Sequence, residues 1–167
     1  MTTQKRLKEL FYYRAESGDF VRMVPRSQTK AGDVAGSCHK KGYLNIRIDG
    51  KLYLSHRLAW LYVTGHWPAD QIDHINGVKD DNRFCNLREA TNSENKRNTG
   101  LYRNNTSGYK GVYLDKRNKE WTAKIRLHGV YKYLGSFTDI TDAAAAYAAA
   151  SAKHHGVFAN IGAINDK

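Results

Sequence analysis

Two dozen residues in the middle of the chain, IDHINGVKDDNRFCNLREATNSEN at 72–95, gather Asp73, His74, Asn76, Asn82, Asn86 and Asn95. Carboxylate and amide oxygens are the donors a hard divalent cation prefers. An imidazole, with a pKa of about 6.5, suits the removal of a proton from water at neutral pH. These types together fit phosphodiester hydrolysis, which needs an activated water, charge neutralisation on the phosphate and help for the leaving oxygen. A bound cation can supply the last two. Asp73 offers the carboxylate, Asn95 an amide oxygen and His74 the base. Neighbours on an ideal strand face opposite sides, so Asp73 and His74 serve one site only if the strand twists or ends there. Residue types alone leave a second reading open: Asp-His and Asn-Gly pairs are common in turns, and Asn82 and Asn86 could simply satisfy loop backbone.

The surroundings favour a polyanionic partner. The 167 residues carry a net charge of +11 and are 41% hydrophobic, with eleven tyrosines, which argues against wholesale disorder. The pI near 9.7 puts nucleic acid first and an anionic membrane surface second. No long amphipathic basic helix supports the membrane, no apolar run is long enough to span one, and MTTQKRLKELFYYR lacks the apolar centre of a signal peptide. The expectation is a soluble, cytoplasmic protein with no membrane partner. Cys38 and Cys85 cannot make a four-thiolate zinc site and are read as ordinary thiols. Residues 1–60 hold 12 Lys and Arg against 5 Asp and Glu, residues 61–100 hold 5 against 6, and residues 101–167 hold 10 against 5. Two basic arms thus flank a centre where carboxylates would gain nothing on a pure phosphate-binding surface.

The elements that must position these residues can be read locally. Residues 4–14 suggest a short helix or irregular segment with Leu7, Leu10 and Phe11 on one side, followed by a loop-rich stretch punctuated by SGDF, AGDVAG and KKG. YLNIRIDGKLYLS alternates on both sides of Asp49-Gly50, a hairpin signature. Ser55 is the expected cap of the helix HRLAWLYVTG, which Gly65 and Pro68 end. Around the central motif, a strand at 72–75, a turn-rich loop, a second strand at LREA and a helix from about Asn92, signalled by Thr91 and Glu94, make a ββα unit. TGLYRNNTSG reads as a linker. Three short strands follow, with turns near 117–119 and His128-Gly129. The alanine-rich helix TDAAAAYAAASAKHH then starts at Thr141 or Asp142, stops at Gly156, and should pack a face of small residues on the sheet. The fold class is α+β.

The central spacing closely resembles the HNH endonuclease signature in its phage and intron-borne homing version, D-H-x-[ND]-G followed by N-R-x-x-N-L-R and a helix with asparagine. His74, Asn86 and Asn95 fall on the H-N-N positions, and HRLAWLYVTGHWP resembles the segment leading into the motif. The resemblance covers residues 54–98 and implies a ββα-metal unit. It implies that Asp73 and Asn95 bind one divalent cation, Mg²⁺ or Mn²⁺, at the scissile phosphate. His74 would be the general base and Asn86 would brace the loop and keep His74 oriented, with Asn98 a reserve ligand. His56 is expected to pack on its helix or touch phosphate rather than bind metal.

The C-terminal pieces YKGVYLDKRNKEWTAKIRL, YLGSF and DAAAAYAAASAKHHG resemble an AP2-type DNA-binding domain over residues 107–162, a three-stranded antiparallel sheet plus helix. That resemblance implies double-stranded DNA as partner. Lys124 and Arg126 alternate with Ala123 and Ile125, so one strand face is cationic and the other apolar. Arg117, Lys119, Trp121, Tyr131, Lys132 and Tyr133 complete the contact candidates. YLDKR has fewer arginines than the plant pattern, so no target sequence carries over.

The expected organisation is a basic N-terminal region with a hairpin (1–53), the nuclease core (54–98), a linker (99–106), the AP2-like domain (107–162) and a tail (163–167). The expected function is a metal-dependent, site-selective DNA endonuclease leaving 5′-phosphate and 3′-hydroxyl ends. It would act as a monomer that nicks one strand, with a homing or related phage mobile-element role. A non-catalytic DNA-binding regulator is the alternative, and a nuclease of structured RNA or branched DNA a third reading. The charge distribution has a direct consequence: log–log plots of duplex affinity against salt concentration should fall steeply through counterion release. A flat salt titration would rule out extensive phosphate contact.

Overall fold

The computed structural model describes residues 1–162; the expected tail, 163–167, lies outside them. The chain is α+β, made of short helices and small antiparallel sheets, and divides into two compact units, Met1–Asn92 and Ser93–Lys167.

The first unit opens with α1 (Gln4–Leu10), whose N-terminus Thr3 caps through its hydroxyl. β1 (Phe11–Tyr13), β2 (Phe20–Arg22) and β3 (Val34–Ala35) then form an antiparallel sheet where the sequence suggested the end of the 4–14 segment and a loop-rich stretch. Strands of two or three residues carry too few alternating positions to show a period. β4 (Ser37–Cys38), β5 (Leu44–Ile48) and β6 (Lys51–Leu54) make a second sheet. Its β5–β6 turn is the expected Asp49-Gly50, with φ of 46° and 81°, the two positive angles a type I′ turn requires.

α2 (Ser55–Thr64) follows β6 without a gap. Ser55 is not its cap: Leu54, the last strand residue, already has the extended backbone a cap needs, so Ser55 becomes the first helical residue. Gly65 closes the helix as expected, its amide bonding the Leu61 carbonyl at 3.0 Å. β7 (Gln71–His74) and β8 (Leu87–Ala90) form an antiparallel ribbon that sets Asp73 opposite Arg88 and His74 opposite Leu87. α3 (Asn92–Asn98) begins where the Thr91–Glu94 spacing places it. Leu7, Phe11, Phe20, Ile46, Ile48, Leu58, Ile72 and Leu87 share one core, so residues 1–53 and the ribbon that carries the motif are built around the same apolar centre.

The second unit holds β9 (Val112–Asp115), β10 (Glu120–Leu127) and β11 (Val130–Phe137) as an antiparallel sheet with β10 central, and α4 (Ile140–His155) packed on it. Ala143, Tyr147, Ser151 and His155, spaced by four, form the buried stripe of α4. Its cap is Asp139 rather than Thr141 or Asp142, because the Asp139 carboxylate accepts the Thr141 amide at 2.6 Å, and Gly156 ends the helix. Among the described residues, no helix is long and apolar enough to cross a membrane.

One contact ties the N-terminal sheet to the motif loop. Gly18, between β1 and β2, has φ of 78°, and a Cβ placed there would lie 2.4 Å from the Arg83 nitrogen and the Asn82 carbonyl carbon. Both neighbours are backbone, so neither can swing aside. Gly18→Ala is expected to destabilise the first unit by roughly 2–4 kcal/mol, from the left-handed angle plus the overlap. Urea unfolding followed by tryptophan fluorescence measures it; an unchanged midpoint would mean that the two segments do not meet this closely.

Candidate active site

β7 ends at His74, and both Asp73 and His74 are buried, 4% and 5% exposed. Arg88 faces Asp73 from β8 and donates to its Oδ2 from Nε at 2.8 Å and Nη2 at 2.6 Å. Any cation drawing on that carboxylate therefore shares it with a guanidinium. The His74 ring lies 3.3 Å, through Nε2, from Oδ1 of Asn82. Asn82 is 1% exposed and its own amide nitrogen donates to the Asp80 carbonyl at 3.1 Å, which fixes the oxygen as the end facing His74. Nε2 must then carry the imidazole hydrogen, and the lone pair that accepts a proton lies on Nδ1. Burial lowers the pKa of His74, against the opposing pull of Asn82 and of the Asp73 charge, so the ring is in its basic form at neutral pH.

The loop between β7 and β8 is held from within. Asn86 accepts the Asn76 amide at 3.0 Å and donates to Asn76 Oδ1 at 3.0 Å and to the Asp81 carbonyl at 2.9 Å. It thus joins the two ends of the loop, the bracing its position suggested, while the contact that orients His74 comes from Asn82. Asp81 pairs with Arg83 at 2.5 Å and accepts Asn76 Nδ2 at 2.7 Å, and the Arg83 hydrogen bond holds its carboxyl down at about 2. The Tyr13 hydroxyl donates to the Asn82 carbonyl at 2.7 Å, so the N-terminal sheet supports the residue that sets the His74 tautomer.

Two rings that the motif spacing does not reveal complete the surroundings. His56, from the first turn of α2, stands edge-to-face with His74 at 5.0 Å, and Tyr43 lies 5.3 Å from His56 and 6.0 Å from His74. Burial pushes the His56 imidazole down to about 3, with His74 and Arg57 adding to it. Its Nδ1 is sealed from solvent with no hydrogen-bond partner among the described residues. Lys79 donates to the Lys41 carbonyl at 3.0 Å and sits 5.2 Å over the Tyr43 ring, bringing the basic turn at Lys40 and Lys41 against the motif loop.

No group of three or more His, Cys, Asp or Glu side chains with metal-holding geometry occurs among the described residues. The expected donor set is of another kind, one carboxylate and one amide oxygen, and suits a hard cation completed by water and substrate oxygens. Asp73 belongs to the first unit; Asn95 and the reserve Asn98 lie on the part of α3 that belongs to the second.

In the second unit, cross-strand register sorts the DNA-contact candidates. Lys124 pairs with Tyr133 and Arg126 with Tyr131, and directly opposed residues share a face. Lys124 lies 4.9 Å over the Tyr113 ring and Arg126 5.5 Å over that of Tyr131. The three tyrosines are exposed, so this face offers alternating charge and ring. Trp121 differs from the expectation. Trp121 packs on the apolar core with Ala123 and Ile125, whereas Lys132 is opposite Ile125 but exposed. Arg117 and Lys119 are exposed in the β9–β10 turn.

Residues 53–97 match a family model described as HNH endonuclease. The match covers well under half of the chain and includes Asp73, His74, Asn86 and Asn95 as well as His56, Asn82 and Arg88. No curated protein and no solved structure matches the chain.

The depressed pKa of His56 makes stability depend on pH. From pH 6.5 down to about 3 the unfolded chain takes up a proton that the folded ring refuses. Stability is therefore full above pH 6.5 and falls with acid, by up to about 1.4 kcal/mol per pH unit for this group. His56→Phe should flatten the decline in urea midpoint between pH 7 and pH 5; an equally steep decline would assign it to other groups.

Proposed function

We propose that the protein is a metal-dependent, HNH-type endonuclease that hydrolyses phosphodiester bonds of double-stranded DNA and, as a monomer with one motif, nicks one strand. The observation that carries this reading is the buried His74, its Nε2 hydrogen turned to Asn82 and its basic nitrogen therefore Nδ1, inside the stretch that matches the endonuclease model. His74 takes a proton from water at Nδ1 as the water oxygen attacks phosphorus. The bond to the 3′ oxygen breaks, leaving 5′-phosphate and 3′-hydroxyl ends. Asp73 and Asn95 would hold one Mg²⁺ or Mn²⁺, which supplies charge neutralisation on the phosphate and help for the leaving oxygen. Arg88 orients Asp73, Asn82 orients His74, and Asn86 holds the loop that carries Asn82.

The sheet of the second unit serves as the DNA-holding surface, in the manner of an AP2-like domain. Tyr113, Lys124, Arg126, Tyr131 and Tyr133 supply its contact face, and Arg117 and Lys119 reach phosphates from the turn. Lys40, Lys41 and Lys79 hold the backbone beside His74, contacts that position without reading bases. A DNA-holding sheet joined to an HNH-like motif fits a homing or related phage mobile-element role. A DNA-binding regulator would use the same charged and aromatic face, but has no use for a desolvated imidazole with a fixed tautomer.

Supercoiled DNA bearing candidate sites, incubated with Mg²⁺, Mn²⁺ or EDTA, should give nicked circles with either metal and none with EDTA. His74→Ala should slow nicking by about 10²–10⁴-fold, the usual contribution of a general base, with duplex affinity in EDTA unchanged. Intact circles under every metal, with tight binding, would establish the regulator instead. Undiminished nicking by the variant would remove His74 from the chemistry.

A further inference from the structure

α3 has only seven residues, Asn92–Asn98, too few to hold a helix by themselves in water. The last carbonyls of any helix also lack partners within it. Here they are met by side chains from beyond the helix. Nζ of Lys110 donates to the Arg97 carbonyl at 2.6 Å and to the Thr99 carbonyl at 2.5 Å. Asn160 Nδ2 donates to the Asn98 carbonyl at 2.7 Å, and its amide is oriented by the Gly162 N–H, which bonds Asn160 Oδ1 at 2.7 Å. The Thr99 hydroxyl donates to the carbonyl of Asn95 at 3.4 Å.

Lys110 is sunk far enough for burial to lower its ammonium to about 8. A lysine spends its charge in such a place only where it has a fixed job. Its cation at the C-terminal end also complements the helix dipole. Neither Lys110 nor Asn160 belongs to the ring-and-cation face of β9–β11.

We propose that Lys110 and Asn160 are positioning residues for Asn95: by clamping the last carbonyls of α3, the DNA-holding unit sets the helix that presents the metal-binding amide. The inference rests on the nuclease reading for the role of Asn95, and on the hydrogen bonds alone for the clamp. It gives the second unit a task in chemistry besides affinity. A hard cation such as Mg²⁺ tolerates little error in its ligands, so a fraying α3 weakens metal use even when DNA is fully bound.

The test compares full-length wild type, Lys110→Met, Lys110→Arg and Asn160→Leu by three measurements. Amide hydrogen exchange across α3 reads the clamp without reference to activity. Lys110→Met should lose about tenfold or more of the wild-type protection there, Asn160→Leu should lose part, and Lys110→Arg, which can still donate to two carbonyls, should retain most of it. Nicking at saturating duplex should fall by about 10–100-fold in Lys110→Met, the range for a lost supporting contact, with half-saturating Mg²⁺ moved upward. Duplex affinity in EDTA should stay within about twofold, because the contact face is untouched.

Unchanged exchange in Lys110→Met overturns the clamp. Lost protection with unchanged nicking and Mg²⁺ dependence overturns the positioning of Asn95. Lost affinity with normal nicking at saturation makes Lys110 a DNA contact instead, and also overturns it. Failure of the nuclease reading is seen separately, as wild-type protein that does not nick.

Discussion

The hydrogen bond between His74 and Asn82 is the interaction on which the first unit converges. An imidazole can act as a base only if its proton sits on the right nitrogen, and a buried asparagine whose amide end is already committed leaves no choice of tautomer. Asn82 is held in turn by Tyr13 through its carbonyl and by the close approach of Gly18 to its backbone. The N-terminal sheet thus reaches the proposed chemistry in two steps. This accounts for a core that runs unbroken from α1 to β8: the motif loop has little apolar surface, and its rigidity must be borrowed from its neighbours.

The two units solve different electrostatic problems. In the first, Asp73 is buried against Arg88, Asp81 is paired with Arg83 nearer the surface, and burial suppresses the ionisation of the His56 and His74 imidazoles. In the second, Lys124 and Arg126 lie over exposed tyrosine rings near the surface, an arrangement that on the proposed reading would meet phosphate while leaving the rings open to stacking. If the first unit meets the reacting phosphate and the second only attracts DNA, as proposed, this division is the expected one. Fixed dipoles and buried groups act strongly where water is excluded, whereas solvated ones act mostly on encounter.

Much of the arrangement was legible in the sequence because it rests on short-range rules. The Asp49-Gly50 turn, the Gly65 and Gly156 stops, the ribbon that carries Asp73 and His74, and the start of α3 each follow from a few adjacent residues. The failures share a cause as well. Ser55 and Thr141 are good caps in isolation, but Ser55 loses its place to Leu54, whose extended backbone β6 already sets, and Thr141 loses its place to Asp139, whose carboxylate accepts the Thr141 amide. Trp121 looks like a DNA contact by type, yet it packs on the apolar core beside Ala123 and Ile125. His56, Tyr43, Arg88 and Asn82 owe their importance to partners 8 to 31 residues away, and no local pattern records such a pairing.

The acidity of the central stretch in so basic a chain takes on a different meaning once its partners are known. If its carboxylates served only to collect a cation, they would stand bare. Instead Asp81 is taken up by Arg83 and Asn76, and Asp73 shares its Oδ2 with two nitrogens of Arg88. These acids are structural before they are anything else: they fix the loop and the ribbon without presenting a repulsive field to an incoming phosphate. If Asp73 holds a cation as proposed, that cation would meet a carboxylate already partly neutralised, which would weaken its hold on metal in the absence of substrate. Phosphate oxygens arriving with DNA would restore the missing negative charge. On the proposed reading, metal and substrate would therefore be coupled by electrostatics, each binding better in the presence of the other.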